Sequence, residues 1–304
     1  DTLNNSIILG SNTSIGGASN MILNGTITDG GNAYSLTKAG AGTITLGANN
    51  SFSGGVTINT GTLAALNAGA LGTAGAIAIN NAAILSMNFG GNTLVNSSNI
   101  TMGATAALTS TAAAAVTDVL NNMITLNGTH TFTSTTATAQ LTLNGDITNS
   151  ATNLTITGSG NTLITGTIGS NAGGITKSGT GTLTLTNANT YTGNTTISAG
   201  TLRATDTNAL GTTGTISIAT ASILSLNLGG AALANANTIT MTGSASIVNN
   251  VATGLTDILN NPITLTAAGT QVITSTIAGA LLQLNGNITN NTAALTINGA
   301  GDTT

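Results

Sequence analysis

Short runs in which apolar residues alternate with threonine or alanine recur along the chain. Alternation with a period of two is the pattern of a β-strand that buries one face, so each run predicts a short strand. Clusters of Gly, Asn and Ser separate the runs and predict turns, because these residues accept left-handed backbone conformations. The predicted strands follow one another at intervals of about 8 to 24 residues. They are Thr43–Leu46, Val56–Ile58, Ile77–Ile79, Ile100–Met102, Ile124–Leu126, 141–143 and 154–156.

The chain also repeats itself over a much longer period. The segment 38–46 recurs at 177–185, an offset of 139 residues. After about residue 130 the offset becomes 141, since 141–149 matches 282–290, as expected of an insertion in a surface turn. Neither end has the atypical polar sequence of a solenoid cap, so we expect the natural polypeptide to continue past both ends. We predict a single continuous solenoid segment over 1–304, comprising 1–37 (the tail of a preceding repeat), 38–176 (a full repeat) and 177–304 (a second, incomplete repeat).

These patterns predict an all-β protein, and specifically a parallel β-solenoid with roughly 20 to 24 residues per coil. A β-sandwich also has short strands joined by turns, and it is the alternative. The solenoid is favoured because its side chains stack on like positions about 4.8 Å away. Stacked like charges repel, whereas Thr and Asn stack well and an Asn amide both donates and accepts along the axis.

The composition excludes several classes of protein. The 304 residues include 3 Lys+Arg and 7 Asp+Glu, all seven being Asp, for a net charge of −4. Three basic residues cannot form a nucleic-acid footprint, and so few charges cannot form the wet faces of a helical bundle. The absence of Cys excludes disulfides and thiolate metal sites. Disorder is disfavoured by the low net charge, and no apolar run approaches the 18 residues of a membrane helix.

Residues that could support catalysis are scarce. His130 is the single His, and an offset of 139 places Gly269 opposite it, so we interpret His130 as a loop residue facing water. Asp118 and Asp257 occupy equivalent places a full repeat apart, which suits turn or cap carboxylates that accept backbone N–H groups better than a paired acid and base. We predict no enzyme, no catalytic residue, no bound metal and no cofactor.

Four residues are candidates for contact with another surface. Phe52 and Tyr191 are equivalent; they either shield the end of the core or stack against a sugar. Lys38 and Lys177 share one position before a Gly-x-Gly turn, where each either lies solvated at a strand end or contacts an anionic surface.

Thr-x-Thr motifs place two hydroxyls outward around an inward apolar residue, as ice-binding solenoids do. Such a function needs the motifs in register on many successive coils, and their spacing along this sequence is irregular, which argues against it. The motifs are 26–28, 43–45, 182–184, 238–240 and 264–266.

The segment from Gly179 to Leu202 reads GTGTLTLTNANTYTGNTTISAGTL, and the segment from Gly40 to Leu63 fits the same pattern with Phe52 in place of Tyr191. This pattern resembles the autotransporter-associated β-strand repeat of bacterial surface proteins. The resemblance implies a right-handed parallel β-helix exposed outside a Gram-negative cell, in the passenger domain of an adhesin. It also implies an outer-membrane β-barrel translocator, which would lie beyond Thr304.

The predicted function is therefore an extracellular structural segment at the bacterial cell surface, acting as an adhesin stalk or as part of a filament. A direct host-cell or glycan-binding adhesin is the main alternative, and an ice-binding solenoid or a polysaccharide-active β-helix enzyme is less favoured. The expected partners are further repeats or other copies of the chain, and host-cell surface or biofilm components. No nucleic acid is expected.

Overall fold

The computed structural model describes residues 1–149, 151–169, 173–235, 237–266 and 268–304. Within those residues the protein is entirely β, without a helix. The chain forms two compact units. The N-terminal unit comprises Asp1–Thr148 with Ser159–Asn161, and the C-terminal unit comprises Asn149–Gly158 with Thr162–Thr304.

The strands are short throughout, which matches the short alternating runs of the sequence. In the N-terminal unit they are β1 (Thr2–Leu3), β2 (Ile7–Ile8), β3 (Thr13–Gly16), β4 (Met21–Leu23), β5 (Ile27–Thr28), β6 (Leu36–Ala39), β7 (Thr43–Leu46), β8 (Val56–Ile58), β9 (Thr62–Ala65), β10 (Ile77–Ile79), β11 (Ile84–Met87), β12 (Ile100–Met102), β13 (Ala107–Ser110), β14 (Thr117–Leu120), β15 (Ile124–Leu126), β16 (His130–Ser134) and β17 (Gln140–Leu143).

Two strands run across the boundary between the units, β18 (Ile147–Asn149) and β20 (Asn161–Ile164). The strands of the C-terminal unit are β19 (Leu154–Thr157), β21 (Ile175–Lys177), β22 (Thr182–Leu185), β23 (Thr195–Ile197), β24 (Thr201–Ala204), β25 (Ile216–Ile218), β26 (Ile223–Leu226), β27 (Ile239–Thr242), β28 (Ser246–Asn249), β29 (Thr256–Leu259), β30 (Ile263–Thr266), β31 (Thr270–Ser275), β32 (Leu281–Leu284), β33 (Ile288–Asn290), β34 (Ala294–Gly299) and β35 (Asp302–Thr303).

Every strand pairs in parallel with the equivalent strand one coil away, as in a β-solenoid. In the N-terminal unit one face is formed by β3, β6, β8, β10, β12 and β15. A second face is formed by β1, β4, β7, β9, β11, β13 and β16. In the C-terminal unit the first face is formed by β19, β21, β23, β25, β27, β30 and β33, and the second by β22, β24, β26, β28, β31 and β34. The predicted all-β parallel solenoid is confirmed.

The coils differ in length while the strand register is preserved. On the first face of the N-terminal unit, Leu36, Val56, Ile77, Ile100 and Ile124 follow one another in register, so successive coils take 20, 21, 23 and 24 residues. The C-terminal unit repeats the same series from Ile175 to Ile263. Insertions therefore lie in the turns, and the stacked strands are unaffected.

The core is a stack of aliphatic side chains inside each unit. Burial alternates along most of the inner strands, as in β7, where Ile44 and Leu46 are buried and the two threonines are half-buried. Buried Ile and Leu side chains stack on their counterparts in the next coil, for example Ile44 beside Leu63. The alternation seen in the sequence therefore predicts the core directly.

Candidate functional site at the corners of the coils

The Lys38 side chain lies inside the corner between β6 and β7. Its Nζ donates to the backbone oxygens of Ala39, Gly40 and Thr60 at 3.0, 2.6 and 2.9 Å. Thr60 lies in the next coil, between β8 and β9, so the ammonium joins two coils. The side chain is fully buried, and burial lowers the pKa of its ammonium.

Lys177 forms the equivalent corner in the C-terminal unit. Its Nζ donates to the oxygens of Ser178, Gly179 and Ala199 at 2.8, 2.8 and 3.2 Å. Burial lowers the pKa of this ammonium to about 8. Gly200 closes the corner with φ +68°, and a Cβ there would lie 2.9 Å from Nζ, so only glycine fits.

The interpretation of these lysines as solvated strand ends was wrong. In both β6 and β21 the lysine occupies an inward position of the alternating pattern. The carbonyls of two successive turns converge on that position, and an ammonium with three donors satisfies three of them. We call each arrangement of Lys Nζ and three carbonyl oxygens a lysine corner.

Phe52 and Tyr191 are both fully buried, and each aromatic ring packs beneath a glycine of the next coil. A Cβ at Gly72 would lie 2.8 Å from the ring of Phe52, and a Cβ at Gly211 would lie 2.7 Å from the ring of Tyr191. The role of shielding the core therefore fits the structure. The predicted surface contact through these rings or through the two lysines stays a prediction, and the structure gives it no exposed side chain.

The two aromatic residues differ in one polar interaction. The hydroxyl of Tyr191 lies 2.8 Å from Oγ1 of Thr195, which also donates to the oxygen of Leu210 at 3.4 Å. Burial raises the pKa of the Tyr191 phenol, so the group stays neutral. In the N-terminal unit, Val56 occupies the place of Thr195, and the aromatic residue beside it is Phe52, which needs no partner.

His130 does not lie in a water-facing loop. It begins β16, is 1 % exposed, and its Nδ1 lies 3.1 Å from the oxygen of Ala106, while Nε2 has no hydrogen-bond partner. Burial lowers the pKa of its imidazole. The register also corrects the equivalence with Gly269, because Leu108 pairs with Phe132 and its equivalent Ile247 pairs with Ile273. The offset is therefore already 141 at this strand.

The residue opposite His130 is accordingly Gln271, not Gly269. Gln271 is also fully buried, and its Oε1 likewise has no hydrogen-bond partner. Sequence comparison missed this pair because the two-residue insertion was placed after the strand rather than before it. A buried polar position shared by both units points to a structural requirement at this corner, not to a catalytic base.

Asp118 and Asp257 hold a loop of the preceding coil in place. The Asp118 carboxylate accepts from the backbone N–H groups of Phe89 and Gly91, at 3.1 and 3.3 Å. The Asp257 carboxylate accepts from those of Leu228 and Gly230, at 2.8 and 2.9 Å. Burial raises the pKa of Asp257, against the opposing effect of these hydrogen bonds. The predicted cap role of both carboxylates is confirmed.

Buried asparagines join three successive coils. The predicted donation and acceptance along the axis is present, but Asn50 and Asn189 bond to the backbone of neighbouring coils, and neither was singled out from the sequence. The Asn50 amide accepts from the N–H of Ile27 at 2.8 Å and donates to the oxygen of Ala70 at 2.7 Å. Asn189 makes the same two bonds in the C-terminal unit, to Ile168 and Ala209, at 2.7 Å each. The presence of Asn at this position in both repeats was the feature of the sequence that could have indicated the role.

Enclosed cavities and clustered metal-ligating side chains are not found among the described residues. No pocket opens in that part of the chain, and no three His, Cys, Asp or Glu side chains lie close enough there to hold a metal ion. None of the described segments forms a helix that could cross a membrane. The polar groups that are brought together serve the backbone of neighbouring coils.

Each unit is thus a parallel β-solenoid in which buried polar side chains bind successive coils together. Residues 36–65 and 175–204 match the passenger-associated-transport-repeat family, and they contain β6 to β9 and β21 to β24 with both lysine corners. The chain carries two copies of this repeat, which confirms the resemblance to an autotransporter passenger repeat. No curated protein and no solved structure matches the chain significantly. Fold and repeat together fit a segment of a secreted, surface-exposed passenger.

Proposed function

We propose that this chain is a stiff structural segment of a bacterial surface passenger, serving as an adhesin stalk or as part of a filament. The observation that carries the proposal is the lysine corner, which occurs in both repeats and joins two coils through three carbonyl bonds. Every polar group described at these corners binds the backbone of the same chain. A surface segment with this construction transmits force and resists proteases without contacting a ligand.

Resistance to stretching follows from how the coils are connected. Parallel pairing, lysine corners and bridging asparagines all link one coil to the next, so peeling off a coil breaks these interactions together. Two of the three basic residues are buried, and Arg203 lies within β24, so trypsin-like proteases have few accessible sites. The passenger repeat supports continuation of the polypeptide into further repeats and a translocating domain.

Single-molecule stretching of the full chain between two handles tests the proposal. We expect high unfolding forces, lowered in Lys38→Met and Lys177→Met. Arg203→Met is the matched control, because Arg203 is the exposed basic side chain in β24, and its unfolding force should equal that of the parent. Unfolding at forces typical of a loosely packed chain would contradict the proposal.

Binding of beads coated with the same chain to host cells and glycans distinguishes a structural segment from a direct adhesin. We expect no saturable binding to host cells or to glycans, because the rings of Phe52 and Tyr191 are buried and the described residues form no pocket. Saturable binding of the parent would replace the structural proposal with a direct adhesive function.

A further inference from the structure

The first face of the C-terminal unit presents two columns of hydroxyl side chains. In the six strands β19, β21, β23, β25, β27 and β30, residues at the central outward position form one column, and residues two positions later form the other. We call them together the hydroxyl face, and they are Thr155, Thr157, Thr176, Ser178, Thr196, Ser198, Ser217, Thr240, Thr242, Thr264 and Thr266. One position in the second column, Ala219, lacks a hydroxyl.

The columns are in register over six consecutive strands, despite the irregular spacing of the motifs in the sequence. In the first column the backbone register is continuous through Thr155, Thr176, Thr196, Ser217, Thr240 and Thr264. The variation in coil length lies in the turns outside the face. The sequence argument against an ordered Thr-x-Thr array, which rested on irregular spacing, therefore does not hold for this unit.

The hydroxyls of the first column are available for intermolecular hydrogen bonds. Within the described chain, those of Thr176, Thr196, Ser217, Thr240 and Thr264 make no hydrogen bond to protein atoms. In the second column, Oγ1 of Thr242 lies 3.0 Å from Oγ1 of Thr266, and Thr266 also donates to the oxygen of Met241 at 3.3 Å. Outside the face, Thr205 and Thr276 donate to backbone oxygens of the preceding coil in the same way. Among the described residues, the first column differs from all of these in leaving its hydroxyls unbonded. The stacked strands thus hold a row of free hydroxyls about 4.8 Å apart, with the second column about 7 Å away.

The chemistry of the face indicates an uncharged, regularly spaced hydrogen-bonding partner. The face has no outward charged side chain, since Lys177 between its two columns points inward and is buried. It also has no aromatic platform, which a surface that binds crystalline polysaccharide would use for stacking. Methyl and hydroxyl groups of threonine at fixed spacing suit ordered water, to which each hydroxyl can both donate and accept.

From this register we infer that the hydroxyl face binds the surface of ice. This activity goes beyond the structural role proposed above and does not depend on it. The water lattice of ice repeats at spacings comparable to those of the strands and of alternate residues, so many weak bonds can form at once. Rigidity of the solenoid reduces the entropy lost on binding to such a surface.

The N-terminal unit supplies an internal control. Its equivalent face keeps hydroxyls in the first column at Thr37, Thr57, Thr101 and Thr125. Over the described strands β6, β8, β10, β12 and β15, the second column has no hydroxyl, the residues being Ala39, Asn59, Asn80, Gly103 and Asn127. A single column cannot match a two-dimensional lattice, so we expect ice binding from the C-terminal unit.

Ice affinity of the full chain is measured by its incorporation into a slowly growing ice hemisphere and by thermal hysteresis. We expect the parent to enter the ice and to depress the freezing point below the melting point. The variant Thr196→Lys/Thr240→Lys should lose both effects, because it places two charges on the hydroxyl face. The matched control Thr57→Lys/Thr101→Lys carries the same substitutions on the equivalent face of the N-terminal unit, and should keep both effects. Thermal melting followed by circular dichroism verifies that all three proteins are folded.

Three outcomes would overturn the inference. One is exclusion of the folded parent from ice, with no hysteresis. Another is equal loss in both double variants, which would indicate a nonspecific effect of charge. The third is binding of the parent to cellulose or chitin but not to ice. None of these outcomes alters the expected stretching behaviour of the lysine corners, so failure here is distinguishable from failure of the structural proposal.

Discussion

The two repeats have the same backbone arrangement but differ in several of the buried side chains at equivalent positions. The lysine corners of Lys38 and Lys177 are nearly identical in geometry, with three carbonyl acceptors each. The aromatic positions differ, since Tyr191 brings a hydroxyl and a threonine partner where Phe52 needs neither. His130 and Gln271 differ more, because the imidazole of His130 can be titrated and the amide of Gln271 cannot. The comparison shows that the corner carbonyls fix the lysine, whereas the other buried positions accept different side chains, even where one polar atom is left without a partner, as in His130 and Gln271.

The largest effect is expected from removing a lysine corner. Lys38→Met and Lys177→Met each remove a charged donor from three partly buried carbonyl oxygens. Hydrogen bonds to a charged group are costly to lose, so we expect a loss of about 3 kcal/mol in the affected unit. Hydrogen exchange followed by mass spectrometry resolves each unit separately, with Arg203→Met as the control. A loss confined to one of the two variants would show that the corners are not equivalent.

Introducing the Tyr191–Thr195 pair at the equivalent positions 52 and 56 tests whether these two residues alone account for the choice between Phe and Tyr. Phe52→Tyr places a hydroxyl against Val56 without a partner, and we expect it to lower the stability of the N-terminal unit by about 2 kcal/mol. Adding Val56→Thr recreates the Tyr191–Thr195 pair and should recover about 1 kcal/mol. Urea denaturation combined with hydrogen exchange measures both variants. Failure of the double variant to recover any stability would show that more distant packing decides the preference.

The stability of the N-terminal unit should depend on pH through His130, whose place in the C-terminal unit is taken by Gln271. Burial lowers the folded-state pKa of His130 below its usual value near 6.5, so the unfolded chain binds the proton more readily. The stability of the N-terminal unit should therefore fall as the pH drops from 7 to 5. His130→Gln, which installs the residue of the other unit, should remove this dependence. Melting temperatures of both proteins across this pH range provide the measurement, and an equal slope in both would contradict the assignment.

The smallest effect is expected at an exposed asparagine ladder. Nδ2 of Asn80 donates to Oδ1 of Asn59 at 2.7 Å on the surface of the N-terminal unit. The C-terminal unit has Ser198 and Ala219 at these places. Asn59→Ser/Asn80→Ala should change stability by only about 0.5 kcal/mol, because both groups remain accessible to water. A loss above about 2 kcal/mol would show that surface ladders matter as much as the buried ones.

Much of the fold was predictable because the signals were local or repeated. Alternation at Thr43–Leu46 predicts both its strand and its buried side, and the 139-residue offset predicts which corners are equivalent. The cap role of Asp118 and Asp257 followed from their equivalent places. The burial of Lys38 did not follow, because a lysine in an alternating strand is ordinarily assumed to end in water. The equivalence of His130 and Gln271 was missed because sequence alone allows a two-residue insertion to be placed on either side of a strand. The boundaries of the repeats as parts of one segment and the right-handed winding of the solenoid stay predictions.

The sequence by itself determined the parallel solenoid, its two-residue alternation and its near freedom from charge, because these depend on periodicity and composition. The tertiary structure decided what each unusual polar residue does. Lysine, histidine and asparagine are buried here because the carbonyls and N–H groups of successive turns converge at the corners and require partners. The structure also decided that the hydroxyls of the C-terminal unit form two ordered columns, since only the pairing of strands shows that coils of unequal length stay in register.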